Sequence, residues 1–274
     1  MEKIYFSVAI CVYEKDNSSW FKTAVDSILN QTVIPDEIVL VVDGPVFGEL
    51  YNIIKNYEKQ EIFNVYRFSK NMGHGNARRK SLELCKYELV ALMDADDICI
   101  SDRFEKQLNI FRQHKNLSIV GGQIAEFIGD ETNIVDYRIV PTTDSEIKEF
   151  LKKRCPFNQM TVMLKKSDVQ SVGGYQDWYC NEDYYLWNRM FLGNFYFMNT
   201  EDVLVNVRVS NDMYNRRGGW KYFKSEAKLQ KYMLNNKIIN IREYVLNVAK
   251  RFVVQVLCTN FMRQFIYKIM LRKK

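Results

Sequence analysis

Apolar positions in the first hundred residues fall into short runs separated by amphipathic stretches. FSVAICVY (6–13), PDEIVLVVDG (35–44), NVYRFS (64–69) and YELVALMDADD (87–97) read as strands. Between them, SSWFKTAVDSILNQT brings Trp20, Ala24 and Ile28 to one side of a helix behind a Ser18 or Ser19 cap. Residues 47–60 form a second helix, and GNARRKSLELCK (75–86) a third. Continuous apolar strands alternating with helices predict an α/β fold, a mostly parallel sheet covered on both faces. In such sheets ligands gather at the carboxyl ends of the strands. Asp43 and the cluster Asp94, Asp96 and Asp97 lie at two of those ends, so they are expected to share one crevice.

Further along, DRFEKQLNIFRQH (102–114) reads as a helix with Phe104, Leu108 and Phe111 inward. Asp102 and Glu105 have the spacing of its cap. Strands are expected near 118–127, 133–140, 160–165 and 203–209, and helices near 144–153, 167–172 and 182–192. After Arg216-Arg217-Gly218-Gly219 the pattern is helical to the end.

The chain has 274 residues, 47% hydrophobic and 26% charged, which suits a globular fold with ample core. Its net charge of +6 is unevenly spread. Residues 241–274 carry eight of the 39 Lys/Arg and one of the 33 Asp/Glu, so this tail holds +7 and the remainder is near −1. A general nucleic-acid binder would show basic residues along its binding face, and none is expected here. The six cysteines (11, 85, 99, 155, 180, 258) lack paired spacing and read as free thiols in a reducing cytosol. The opening apolar run reads as a first strand rather than a signal peptide. No run reaches the roughly 18 apolar residues of a spanning helix.

Three segments carry candidate chemistry. The carboxylates of Asp94, Asp96 and Asp97 repel one another unless a cation offsets them. Their hard oxygens suit Mn²⁺ or Mg²⁺; a solvated turn before the next helix is the plainer reading. NMGHGNARRK (71–80) has Gly73-x-Gly75 at a strand-to-helix turn, but Arg78 stands where a dinucleotide fingerprint needs its third glycine. A helix start with Arg78 and Arg79 facing an anion fits better. In CNEDYYLWNRM (180–190), Glu182 and Asp183 suit either a helix dipole or a general base. Finally, residues 241–274 interleave apolar and basic positions. Either they bind a membrane surface or they pack on the domain with a solvated basic face.

Taken together, these segments resemble a family-2 glycosyltransferase of the GT-A fold. FSVAICVYEKDN with FKTAVDSILNQT resembles the family's opening strand and helix, and DEIVLVVDGP its second strand. NMGHGNARRKSLELCKYELVALMDADD resembles its Asn-x-Gly, Ala-Arg and D-x-D run, and GGYQDWYCNEDYYLWNRM the segment that supplies the base. The resemblance implies that Val12, Tyr13 and Glu14 lie near the nucleoside and that Asp43 binds its base. It implies that Arg78 faces the diphosphate, that Asp94 lies near the ribose or donor sugar, and that Asp96, with Asp94, holds Mn²⁺ or Mg²⁺. Asp183 would deprotonate the acceptor hydroxyl, with Glu182 orienting it. The chain departs from the pattern at Val42-Asp43-Gly44-Pro45, at Arg79, and at Gln159, where similar sequences often carry His. It lacks the Gln-x-x-Arg-Trp signature of processive synthases, which implies one sugar per encounter.

The expectation is therefore an inverting transfer from a nucleotide-diphosphate sugar, with a UDP-sugar favoured. The acceptor would be a glycan or a polyprenyl-diphosphate-linked glycan in O-antigen or capsule assembly. Residues 1–210 would form the catalytic domain, with a nucleotide-sugar half to about residue 100 and an acceptor half beyond it. Residues 211–274 would form a basic helical extension. Arg216 and Arg217 would sit on a loop closing over the donor. The protein would be cytoplasmic, peripheral on the inner membrane through 241–274. A nucleotidyltransferase would usually carry glycine after the first strand, which CVYEKDNSS lacks. A non-catalytic sugar-nucleotide scaffold is the other rival.

Overall fold

The computed structural model describes residues 3–209, 218–259 and 262. Strands β1 (Phe6–Val12), β2 (Glu37–Val42), β3 (Phe63–Arg67) and β4 (Leu89–Met93) form a parallel half-sheet in the order β3-β2-β1-β4. The sheet continues through β8 (Met163–Lys165), β6 (Leu117–Phe127), β9 (Tyr196–Arg208) and the two-residue β5 (Ile98–Cys99), with β7 (Ile134–Arg138) paired to β6. β8 runs antiparallel to both β4 and β6, whereas β6 and β9 are parallel.

The strand side chains alternate between two cores, as a pleat requires. Val8, Ile10 and Val12 face one layer with Ile38, Leu40 and Val42. Helices α1 (Ser18–Leu29), α2 (Gly48–Tyr57) and α4 (Arg103–Gln113) pack on that layer. Ala9, Val39 and Val41 face the other layer, covered by α3 (His74–Leu84), α5 (Asp144–Leu151), α6 (Lys166–Ser171), α7 (Glu182–Leu192) and α8 (Trp220–Asn235). Both faces being buried explains why these strands read as unbroken apolar runs.

Several local expectations are corrected. Asn17, not Ser18 or Ser19, caps α1: its side chain accepts from the Ser19 and Trp20 amides. The inward face of α1 is Phe21, Ala24, Val25 and Ile28, and Trp20 is exposed. Asp102 makes no capping bond to α4; its carboxylate pairs with Lys106 at 3.0 Å. β9 begins seven residues earlier than 203 because half-buried Thr200 and exposed Glu201 and Asp202 interrupt its alternation while irregular pairing to β6 carries the strand through.

Beneath Phe104 and Leu108, α4 also buries Arg103 and Gln107, a polar pair that the apolar pattern does not announce. Arg103 donates to the Leu92 carbonyl (2.9 Å) and to Gln107, which donates to Val120 O and Thr161 O. The pair fastens the end of β4 to the strands beyond it, where the sheet turns from parallel to mixed. Removing one partner would leave buried groups unsatisfied, at about 1–3 kcal/mol each.

Past α8, a capping box of Asn240 and Glu243 starts α9 (Ile241–Phe252), which continues into a π-helical turn, Val253–Leu257. Arg251 of α9 pairs with Glu226 of α8 and donates to Lys153 O, while Asn247 donates to Lys152 O and Gln230 Oε1. The exposed face that remains is largely apolar, not simply basic. Ile241, Val245, Leu246 and Leu257 are 55–63% exposed, beside exposed Arg242 and Lys250. Among the described residues no helix is long and apolar enough to cross a membrane.

Candidate active site

The carboxyl ends of β1, β2 and β4 and the start of α3 enclose a cleft of about 430 Å³. Val12, Tyr13, Asp43, Arg78, Asp94 and Asp96 all line it, so six sequence-predicted residues converge. Glu14 is exposed and lies outside the lining. Asp16, which sequence reasoning did not single out, lines the cleft and accepts the Tyr13 amide at 2.9 Å. Arg216 and Arg217 lie outside the described residues.

Asp43 is buried, and its carboxylate accepts the amides of Met72 (2.6 Å) and Gly73 (3.0 Å). It thereby folds the 71–73 turn over the cleft and sets the start of α3. Gly44 makes the approach possible. Its φ is +94°, and a Cβ there would stand 2.8 Å from the Asn71 nitrogen.

From the first turns of α3, Arg78 reaches across to Asp94 at 2.8 Å and to Glu182 at 3.9 Å. Burial works against its charge, yet Asp94 and Glu182 hold its pKa above the ordinary arginine value. Arg78's charge pushes His74, exposed at the mouth, down to about 4, so it is neutral at pH 7.

The three aspartates after β4 have separate surroundings. Asp96 is exposed in the cleft, and Asp94 holds Arg78. Asp97 is buried and accepts the Arg208 amide at 3.0 Å, latching β4 to β9. Burial, then Asp96 and Asp94, raise its pKa well above the carboxylate range. Among the described residues no group of three His, Cys, Asp or Glu side chains is arranged to hold a metal. The hard carboxylate oxygens of exposed Asp96, beside Asp94 in the same cleft, nonetheless fit a divalent cation that would take its other ligands from a substrate.

A second cavity, of about 500 Å³, adjoins the first, sharing His74, Arg78 and Asp94. Glu182 and Asp183, at the start of α7, line it. Cys180, just before them, has φ +56°, an uncommon conformation for a non-glycine residue. Asn181 binds Ser225 of α8, fixing the turn. Burial raises the pKa of Asp183, and burial followed by Asp183's charge raises Glu182 to about 7. Gln159 is buried in the wall and donates to the Tyr175 hydroxyl at 2.5 Å; its Oε1 has no partner among the described residues.

A half-buried pair of carboxylates, Glu182 and Asp183, thus lies across Arg78 from an acid-lined cleft. Residues 7–170 match the family described as glycosyl transferase family 2. The chain belongs to that family. It is 40% identical over 268 residues to an uncharacterized glycosyltransferase of Haemophilus influenzae, covering 98% of this chain and 99% of that one. It is 34% identical to the UDP-Gal:alpha-D-GlcNAc-diphosphoundecaprenol beta-1,3-galactosyltransferase of Escherichia coli, over 98% of this chain and 97% of that one. Identity to the amylovoran biosynthesis glycosyltransferase AmsE of Erwinia amylovora is 37%, over 84% and 85%. Among solved structures, Staphylococcus aureus TarS 1–349 in complex with UDP-GlcNAc superposes with a TM-score of 0.67 at 14% identity, over 98% of this chain and 77% of that one. The mannosyltransferase PcManGT of Pyrobaculum calidifontis, in complex with GDP-Man and Mn²⁺, gives 0.64 at 11%, over 93% and 71%. The fold is GT-A, and this family-2 chain is a glycosyltransferase.

Proposed function

We propose that the enzyme moves one sugar, with inversion, from a nucleoside-diphosphate sugar to a hydroxyl of a lipid-linked or free glycan during surface polysaccharide assembly. The observation that carries this reading is the contact of Arg78 with both Asp94 of the donor cleft and Glu182 beside the base. Asp183 takes the proton of the acceptor hydroxyl, and the freed oxygen pair bonds to the anomeric carbon. The bond from that carbon to the diphosphate oxygen breaks, and the nucleoside diphosphate leaves with its electrons. The transition state has oxocarbenium character. Arg78 faces the departing charge, and Glu182 orients base and acceptor. A raised pKa makes Asp183 a stronger base than an exposed carboxylate.

The donor cleft takes the nucleoside against Val12 and Tyr13, with Glu14 at its outer edge. Asp43 shapes the base pocket through the 71–73 turn, and Asp94 lies toward ribose and sugar. When bound at Asp96, with Asp94 beside it, Mn²⁺ or Mg²⁺ neutralises charge on the diphosphate. A UDP-sugar is the favoured donor, supported by the galactosyltransferase relative's name. The relatives named for amylovoran and O-antigen biosynthesis support the pathway. Residues 1–210 carry the chemistry and 211–274 the extension, whose exposed apolar face on α9 and basic tail suit the cytoplasmic surface of an anionic inner membrane. Flotation with phosphatidylglycerol vesicles tests that placement; a Leu246→Glu variant that floats like the parent would overturn it.

The reaction is tested by incubating the full chain with Mn²⁺ and a panel of UDP-, GDP- and dTDP-sugars while following nucleoside diphosphate release. Release from one donor, lost with EDTA and in Asp96→Ala, is expected. No release together with no metal-dependent nucleotide binding by calorimetry would favour a scaffold instead.

A further inference from the structure

The second cavity carries more positive charge than the transfer reaction uses. Arg78 belongs to the donor side, yet Arg138, Lys153, Arg154, Lys250 and Arg251 also line this cavity. Beyond the reaction-centre carboxylates, Glu226 is the one acid in the lining among the described residues, and it is engaged by Arg251 at 2.5 Å. The cations come from three places: β7, the turn after α5, and α9. The fold has brought them together, so they are not one helix's solvated face.

Part of this wall is held by neighbours, while Lys153 and Lys250 are exposed at its rim. Arg138 donates to the carbonyls of Cys155 (2.9 Å) and Phe157 (3.4 Å). Arg154 lies over the Phe150 ring, 5.3 Å from its centroid. Arg251 and Asn247 stitch α9 to the carbonyls of Lys153 and Lys152. The turn carrying Lys153 and Arg154 runs on to Cys155, whose sulfur is 3.9 Å from the Asp183 carboxylate. A cationic wall therefore adjoins the base, and α9, which lends it Lys250, bares Ile241, Val245 and Leu246 to solvent.

Building on the glycosyltransferase reading, we infer that Lys153, Arg154 and Lys250, backed by Arg138, form an acceptor subsite for the diphosphate of a lipid-diphosphate-linked sugar. A diphosphate needs several positive charges at one point, and guanidinium and ammonium donors meet its oxygens with charge-assisted bonds. The donor's own diphosphate belongs with Arg78 and Asp96 in the first cleft, so this second wall serves a second anion. The attached sugar reaches toward Asp183, and the lipid leaves along the apolar face of α9.

The test is calorimetric binding of undecyl diphosphate, below its micelle-forming concentration, to the full chain saturated with UDP and Mn²⁺. Binding is expected despite the filled donor cleft, weakened at least about ten-fold in the Arg154→Gln/Lys250→Gln double variant, roughly one charge-assisted contact's worth. UDP binding to the same variant reports that it is folded. Failure of UDP to bind the parent would sink the donor reading itself. With UDP bound, absence of undecyl diphosphate binding, or equal binding by the variant, would overturn the subsite alone. Phosphatidylglycerol vesicles competing as strongly as undecyl diphosphate would assign these cations to phospholipid headgroups and overturn it as well. Arg154→Lys should restore most of the affinity to an Arg154→Gln protein.

Discussion

The cleft proposed for the donor and the cavity proposed for the acceptor meet at Arg78 but are built in opposite ways. The cleft takes its side chains from the ends of adjacent parallel strands and the helix start beside them: Val12, Asp43, Arg78 and Asp94. The cavity draws on residues 138, 154, 183 and 250, which no single sheet edge collects. A parallel sheet delivers its strand ends to one crevice whatever the loops do. An acceptor pocket assembled from turns and a terminal helix can change without disturbing the sheet. The donor half is thus set by topology, and the acceptor half is where relatives can diverge.

The strongest way to break this division is Asp183→Asn. If the base belongs to the acceptor cavity alone, the change removes proton acceptance and little else. Transfer should fall by about 10²–10⁴-fold, while calorimetric affinity for UDP with Mn²⁺ stays within about two-fold. A comparable loss of UDP affinity would show that the two halves are not separable at α7.

The donor half has its own sensitive point away from the chemistry. Gly44→Ala puts a Cβ into left-handed backbone and against the Asn71 nitrogen. Strain of about 1–3 kcal/mol is expected, and the clash displaces the 71–73 turn that Asp43 holds. The Tm should fall, and the KM for donor should rise more than the KM for acceptor. An unchanged donor KM would mean that the turn does not shape the nucleotide pocket.

The same contrast governs what the sequence makes legible. β1 to β4 are plain because burial on both faces leaves unbroken apolar runs, and the aspartates at their ends follow from the fold class. Asp183 and Glu182 are singled out by the family resemblance and by their place at a helix start, and the structure puts both in the second cavity. The cationic wall is not legible: Arg138 and Lys250 lie over a hundred residues apart, and no spacing rule joins them. Charge counting locates the basic tail but not that α9 turns apolar residues outward, because helical periodicity does not say which face is covered. Asp43 is placed at a strand end by the sequence and lines the cleft, but its two amide bonds to Met72 and Gly73 appear only when the turn is folded. Arg103 and Gln107 escape the apolar pattern because a buried polar pair is marked by its partners rather than its own hydropathy.

The smallest expected effect is in pH. Asp183 is raised by burial and Glu182 stands at about 7, so the neighbouring acids titrate as a pair, above the ordinary carboxylate range. The base works ionised, so kcat/KM should fall as pH drops through an acid limb higher than a free carboxylate would give. Arg138 is one of the cations that lower the Asp183 pKa. Arg138→Gln should therefore move the limb to higher pH, by a few tenths of a unit to about one unit. The sign for stability is linked. A carboxyl raised on folding contributes stability that is fully present below its unfolded pKa and is lost as pH rises through the folded value. For Glu182 that window runs from its ordinary 4.5 to about 7, so the donor-free enzyme should melt lower at pH 8 than at pH 5.5. Glu182→Gln should flatten this slope without moving the Asp43 turn. An acid limb near pH 4 in the parent, unmoved by Arg138→Gln, would mean that Asp183 is solvated during turnover and that the acceptor cavity does not close around its base.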